Sequence, residues 1–112
     1  GLKKHGADIN ARNNTGWTAL MFACKSGSLE CTQWLTEHGA DVNAGNKYGR
    51  TALMLACSSG SMECTQWLTE HGADVNARDN NGCTALMYAC IWLSGMYTVV
   101  NRAWCRCQCQ GQ

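Results

Sequence analysis

A 33-residue unit repeats along this chain and constrains its fold more than any other feature. Residues 5–37 and 38–70 are identical at 25 of 33 positions, and a third copy begins at His71 and keeps the register to Cys90. A fixed period of this length is typical of a solenoid, in which each unit buries its apolar face against its neighbours. We therefore expect a stack of similar units, and not a domain with one central core.

Charge and composition narrow the classes of function. The 112 residues carry nine basic and eight acidic side chains and no proline. A net charge of +1 is too balanced to drive nucleic-acid binding by counterion release, so no nucleic-acid partner is expected. The absence of proline suits short helices joined by glycine turns. Because the first residues match the end of a repeat, we expect the chain to be a fragment.

Five of the nine cysteines recur at fixed repeat positions. Equivalent positions in stacked repeats lie about 8–10 Å apart, the helix-packing distance, which is too far for a disulfide. We therefore expect the repeated cysteines to act as small core residues and the compartment to be reducing, intracellular and cytoplasmic. The recurrent positions are Cys24, Cys57 and Cys90, and Cys31 and Cys64.

Each repeat predicts two short helices. Thr18 is a typical N-cap, the first helix runs from Ala19 to Ser26, and Gly27 ends it in the left-handed conformation. Ser28 begins the second helix, which ends at Gly39. The i, i+3, i+4 spacing predicts two buried faces, which comprise Leu20, Ala23 and Cys24 in the first helix and Cys31, Trp34 and Leu35 in the second.

The repeat resembles the ankyrin family. The family signature Gly-x-Thr-Pro-Leu-His-x-Ala is matched by residues 16–23 and their two later copies, and the hairpin sequence Gly-Ala-Asp-Val-Asn-Ala stands at 39–44 and 72–77. In every copy Ala replaces the family's Pro and Met replaces its His, which should soften each repeat without changing the fold. The resemblance implies an all-α solenoid of helix–turn–helix units joined by hairpin loops.

The repeat pattern divides the chain into five segments. After Cys90 the register fails, and a two-residue insertion, Ile91-Trp92, would align Ser94 with Ser59. We expect the end of a truncated repeat, two ankyrin repeats, a degenerate C-terminal repeat and a cysteine-containing tail, at 1–11, 12–44, 45–77, 78–104 and 105–112, respectively.

The resemblance also implies where a partner would bind. Ankyrin proteins bind other proteins through the hairpin tips and the concave face of the first helices. Several of these positions differ between the copies, as a specific surface would require, and Trp17, Tyr48 and Arg50 are residue types that dominate binding energy at interfaces. The predicted partner-binding residues are Asn14, Thr15, Trp17, Lys25, Lys47, Tyr48, Arg50, Asn80 and Asn81.

Other conspicuous residues have structural explanations. Trp34 and Trp67 are expected to pack between repeats, and His38 and His71 to lie at helix ends, where a cation suits the dipole. No nucleophile–base pair, phosphate loop, metal site or cofactor motif is present, so no catalysis is expected. The resemblance further implies that the hairpin asparagines could be hydroxylated, at Asn10, Asn43 and Asn76.

The leading hypothesis is a protein–protein interaction module, but three alternatives stay open. The apolar stretch Ile91–Val100 and the cysteines of the tail could form a membrane-tethered or redox-responsive segment, although a membrane span is not expected. The tail could bind a soft metal through Cys105, Cys107 and Cys109. The chain could also be a passive spacer in a longer multi-repeat protein.

Overall fold

The structure, a computed structural model, describes residues 8–94 and contains helices only. Within that range the only strand-like feature is an isolated antiparallel bridge between Gly45 and Thr51. The predicted all-α fold is confirmed. The five helices are α1 (Ala19–Ser26), α2 (Leu29–Glu37), α3 (Ala52–Ser58), α4 (Met62–Glu70) and α5 (Ala85–Leu93). The expectations for residues 1–7, for the segment 95–104 and for the tail lie outside the described residues.

The helices form two layers that follow the repeat. The first helices α1, α3 and α5 pack side by side in one layer, and the second helices α2 and α4 pack together in the other. Each of α1 and α3 also packs against the second helix of its own repeat. Such short helices are marginal in isolation, so their stability depends on these contacts between repeats.

The helix boundaries in the first repeat confirm the predicted caps. Thr18 is the N-cap of α1: its hydroxyl accepts a hydrogen bond from the Met21 N–H at 3.3 Å, and its own N–H donates to the Met21 sulfur at 3.4 Å. The methionine that replaces the family's histidine thus completes a capping box. Gly27 ends the helix with φ of 77°, a conformation that costs other residues about 1–2 kcal/mol.

The predicted core face of α2 was wrong at one position. Cys31 is exposed, whereas Thr32 is fully buried beside Leu35, and Trp34 is half-buried. The equivalent cysteine of the next repeat, Cys64, is fully buried and lies with its sulfur 3.5 Å from the Thr32 hydroxyl. The Cys31 position faces the preceding repeat, and no second helix precedes α2 within residues 8–94.

The last described helix departs from its predecessors in a similar way. Cys90 is exposed, so the expectation that it lies in the core was wrong, although Cys24 and Cys57 are buried as predicted. Helix α5 packs against α3 through Ala85 and Tyr88, and no second helix of its own repeat covers its other side within the described range. Helix α5 is two residues longer than α3.

Hydrogen bonds between repeats join the second-helix layer and the loops that follow it. The Trp67 indole N–H donates to the Thr36 hydroxyl at 2.8 Å, so Trp67 links repeats as expected. His38 and His71 are the C-cap residues of α2 and α4, and their rings stack on Trp34 and Trp67. These contacts give the aromatic residues of the second helices a structural role.

Candidate interaction surface

The hairpin tips form a continuous row held together by backbone hydrogen bonds. The Lys47 N–H donates to the Thr15 carbonyl, and the Asn80 N–H donates to the Tyr48 carbonyl, each at 2.9 Å. The Asn80 side-chain amide also donates to the Lys47 carbonyl at 3.0 Å. Each tip is therefore fixed against the next, although the side chains of Lys47 and Tyr48 are exposed.

One residue in each hairpin shapes the tip by binding its backbone. The Asn46 side-chain oxygen accepts hydrogen bonds from the N–H groups of Tyr48 and Arg50, at 2.9 and 3.0 Å. Asn13 makes the same pattern in the first hairpin, and Asp79 makes it in the third. This local turn places the residue at the Arg50 position directly before the N-cap of a first helix.

The Asp79 carboxylate anchors a polar cluster that sequence reasoning did not identify. Its second oxygen accepts a hydrogen bond from the Tyr88 hydroxyl at 2.6 Å and lies 3.8 Å from Arg50 Nε. The Asp79 side chain is completely buried, whereas that of Arg50 is 32% exposed. The Arg50 guanidinium also lies over the rings of Tyr48 and Tyr88, at 5.6 and 5.9 Å. Arg50 is therefore positioned by one buried carboxylate and two tyrosine rings.

A signal for this cluster does exist in the sequence. Asp79 stands where the other copies have Asn13 and Asn46, and Tyr88 stands where they have a phenylalanine and a leucine. Arg50 is likewise the basic residue at a position that the other copies fill with an uncharged side chain. All three residues of this cluster depart from the repeat, and two of them, Arg50 and Asp79, carry opposite charges. This coincidence could have indicated a contact between adjacent repeats.

A cavity of about 70 Å³ opens on the first-helix layer beside this cluster. It brings together three of the predicted partner-binding residues, Trp17, Lys25 and Arg50, from two adjacent repeats. The remaining lining residues are Met54, Leu55, Ser58 and Tyr88. The cavity thus combines two basic side chains with apolar residues, whereas the hydroxyls of Ser58 and Tyr88 are buried and donate to the Leu55 carbonyl and to Asp79.

Trp17 has a structural contact as well as an exposed edge. It is half-buried and packs on Met21, Ala44 and Leu55, which are buried between the first two repeats. Its ring also lies 4.8 Å from that of Phe22, which is 50% exposed. Trp17 therefore fixes one wall of the cavity, and its position does not depend on a partner.

The other predicted residues lie along the tips with different exposures. Asn14, Lys47, Tyr48 and Asn80 are exposed, and Thr15 and Asn81 are half-buried. The Thr15 hydroxyl donates to the Asn13 side-chain oxygen at 2.9 Å, within its own hairpin. The structure therefore places all nine predicted residues on the hairpins or the first-helix layer, but several of them also hold the tips together.

Charged residues are distributed unevenly along each repeat, which the net charge of the chain conceals. The hairpin and first-helix segments, 12–27, 45–60 and 78–93, carry five basic residues and one acidic residue, the buried Asp79. The other described residues carry seven acidic side chains and no basic one. The basic residues are Arg12, Lys25, Lys47, Arg50 and Arg78. The acidic residues lie on the second helices and in the loops that lead to the hairpin tips, at Glu30, Glu37, Glu63 and Glu70 and at Asp8, Asp41 and Asp74, respectively.

Two of the asparagines considered for hydroxylation bind the next repeat. The Asn43 amide donates to the Gly72 carbonyl at 3.0 Å and accepts from the Asp74 N–H at 2.7 Å. Asn10 makes the same pair of bonds to the following hairpin. Asn76 has no following repeat to bond to among the described residues. Hydroxylation of all three residues stays a prediction.

The described cysteines are free thiols, and they differ in their environment. Burial raises the pKa of Cys24 from 9.0 to about 12, and it also raises the pKa of Cys57. Across residues 8–94, no three His, Cys, Asp or Glu side chains are grouped so as to hold a metal ion. In the same range, no helix has the length and apolar character needed to cross a membrane.

Comparison with protein families agrees with the fold. A family model for ankyrin repeats in three copies matches residues 2–79 and again residues 43–102. The chain therefore belongs to the ankyrin-repeat family. Comparison with curated proteins gives no match. Ankyrin repeats generally mediate protein–protein interactions and are typically not catalytic.

Proposed function

We propose that this chain is a non-catalytic module that binds another protein through its hairpin tips and the exposed face of its first helices. The observation that carries the proposal is the cavity on the first-helix layer, where Trp17, Lys25 and Arg50 from two repeats meet. Aromatic and arginine side chains beside a partly desolvated pocket are the residues that contribute most to protein binding.

The rigidity of the surface supports the same proposal. Backbone hydrogen bonds fix each tip to the next, and the buried Asp79 carboxylate holds Arg50 beside two tyrosine rings. A surface ordered before binding loses little conformational entropy when a partner docks. Tyr48, 46% exposed at the tip of the second hairpin, presents a large amphipathic side chain at little further cost in entropy.

We place this binding in the reducing interior of the cell, in the cytoplasm. The support is the state of the cysteines: all six within the described residues are free, and four of them are buried in the stack. A chain with exposed thiols at Cys31 and Cys90 would be open to oxidation outside a reducing compartment.

The proposal is tested by affinity capture with paired variants. The full chain and a Trp17→Ala/Tyr48→Ala variant would be immobilised, together with a Gln33→Ala/Gln66→Ala control on the second-helix layer. The two variants should first be shown to retain the helical circular dichroism of the parent chain. Captured proteins would be quantified by mass spectrometry, and candidates would be titrated as purified proteins.

The proposal predicts a protein that binds the parent and the second-helix control with equal affinity. The tip variant should bind it at least about tenfold more weakly, the loss expected when an interface anchor worth 1.4 kcal/mol is removed. A purified partner that binds all three chains equally would place the interface elsewhere and overturn the proposal.

A further inference from the structure

We propose that the cavity on the first-helix layer receives the carboxylate of an acidic peptide segment on the partner. This inference rests on the proposed function, because it assigns the chemistry of the partner at the same face. It concerns a site built from Lys25 and Arg50, with Trp17 and Tyr88 beside them. A side-chain carboxylate of Asp or Glu is the group that best suits this lining.

The donors of the cavity point to an anionic ligand. Lys25 in the last turn of α1 and Arg50 before α3 bring two positive charges to one opening of about 70 Å³. Within residues 8–94, the one acidic group paired with either of them is Asp79, whose side chain is fully buried 3.8 Å from Arg50 Nε and is bound by the Tyr88 hydroxyl. Because Lys25 and Arg50 supply two positive charges and Asp79 only one negative charge, the opening of the cavity is electropositive.

The charges outside the cavity favour the same class of partner. Three further basic residues, Arg12, Lys47 and Arg78, lie on the hairpins, and the first helices α1, α3 and α5 carry no acidic residue. Complementary charge on a partner would speed its association and fix its register on the stack. In a peptide with several acidic residues, one carboxylate would bind at the cavity. The others would be attracted more weakly to the basic residues of the hairpin tips.

The same distribution disfavours a nucleic acid as the occupant. A polyanion gains affinity by contacting many phosphates at once, but the basic residues here are few and only two of them converge. The seven acidic residues outside the hairpin and first-helix segments would also repel a long polyanion that extends beyond that face. The apolar wall formed by Met54 and Leu55 favours a protein side chain next to the carboxylate.

The test begins with a displayed library of random peptides of roughly 12 residues, which can extend over about 40 Å and so cover the tips. The library would be selected on the full chain. The most enriched peptide, labelled with fluorescein, would then be titrated with the parent chain and with two charge variants. Lys25→Gln removes a cation at the cavity, and Arg78→Gln removes one from a hairpin that does not line it.

The inference predicts enriched peptides that contain Asp or Glu, and an affinity that falls about tenfold when one of these is changed to Asn or Gln. The Lys25→Gln chain should lose a similar factor, and the Arg78→Gln chain less than about threefold. Raising NaCl from about 0.1 M to about 1 M shortens the Debye length from about 10 Å to about 3 Å and should slow association.

Two outcomes would overturn the inference while leaving the proposed function in place. The first is a peptide without acidic residues that loses affinity for the Trp17→Ala/Tyr48→Ala chain but not for Lys25→Gln. The second is a peptide of any composition whose affinity is the same for Lys25→Gln and Arg78→Gln. A labelled oligothymidine that binds the chain and is displaced by the peptide would assign the site to nucleic acid instead. Peptides that bind all variants equally would overturn both proposals.

Discussion

The Tyr88 hydroxyl donates a 2.6 Å hydrogen bond to the Asp79 carboxylate, and both groups are buried where the second and third repeats meet. Asp79 belongs to the third hairpin and Tyr88 to the middle of α5, so the bond ties the tip to the helix it precedes. Arg50 of the second repeat lies 3.8 Å from the same carboxylate. The Asp79 carboxylate therefore has two contacts with different consequences. It stabilises the fold through Tyr88, and it positions Arg50 at the proposed binding site.

Removing that bond should lower stability. The Tyr88→Phe variant leaves the Asp79 carboxylate buried with one donor fewer, and a hydrogen bond to a charged group is worth about 1.5–3 kcal/mol. We expect the free energy of unfolding, measured in urea, to fall by about that amount. Tyr48→Phe is the matched control, since the Tyr48 ring is exposed, and should change it by less than about 0.5 kcal/mol. Equal effects would show that the buried bond adds nothing.

Two glycines at the same hairpin position test the close stacking of the tips. Gly16 and Gly82 both have φ of 81°, but a Cβ on Gly16 would lie 2.9 Å from the backbone nitrogen of Lys47, whereas one on Gly82 meets nothing within 4 Å. Gly82→Ala should cost only the left-handed strain, about 1–2 kcal/mol. Gly16→Ala should cost at least about 1 kcal/mol more, because the backbone of the next hairpin must shift. Urea unfolding of the two variants would contradict close stacking if their losses matched.

The two equivalent tryptophans form a further matched pair. The Trp67 indole donates to the Thr36 hydroxyl across the repeat boundary, whereas Trp34 has no hydrogen-bond acceptor for its indole among the described residues. Trp67→Phe should therefore destabilise the chain by about 0.5–1.5 kcal/mol more than Trp34→Phe does. Thermal unfolding followed by circular dichroism would measure the difference, and a larger loss for Trp34→Phe would contradict the assignment.

The repeat pattern predicted where helices end, but it did not predict the burial of every repeated residue. The periodicity and the cap residues predicted the bounds of α1 from Thr18 to Gly27, because helix ends depend on local chemistry. The same periodicity treated Cys31 and Cys64 as equivalent, yet one is exposed and the other buried. Burial in a solenoid depends on the neighbouring repeat, which a single repeat's pattern does not contain.

The location of the candidate site could be predicted from the sequence, but the polar contacts and the charge around it could not. The resemblance to the ankyrin family implied that Trp17, Lys25 and Arg50 lie on the same side of the stack, and the cavity is lined by all three. It did not predict the Asp79–Tyr88 pair, because both residues replace the ones that the other copies carry at those positions, and the periodicity holds no information about them. The net charge likewise gave no sign of the basic residues on the tips and first helices, because the second helices and the loops after them carry the compensating acids.

The buried thiol of Cys24 predicts a stability that falls in alkaline solution. Burial raises the pKa of Cys24 from 9.0 to about 12. The folded state therefore keeps a proton that the unfolded state loses above pH 9, and the stabilising contribution is present below that pH and is lost as the pH rises toward 12. Over this window the unfolding free energy should fall by up to about 1.4 kcal/mol per pH unit from this group.

The control for this prediction is the Cys24→Ala variant. It is less stable near neutral pH because a buried side chain is shortened, but its stability should decline less steeply between pH 9 and 12. Since lysines and tyrosines titrate in both proteins, only the difference in slope reports on Cys24. Identical slopes for the parent and the variant would show that this thiol does not contribute.

The most direct measurement of the central claim is amide hydrogen exchange of the full chain with and without the peptide selected on it. The account predicts protection confined to residues 12–27, 45–60 and 78–93, strongest around the cavity that Trp17, Lys25 and Arg50 line. Protection confined to α2 and α4, with unchanged exchange at the hairpin tips, would contradict it and place the binding face on the second-helix layer.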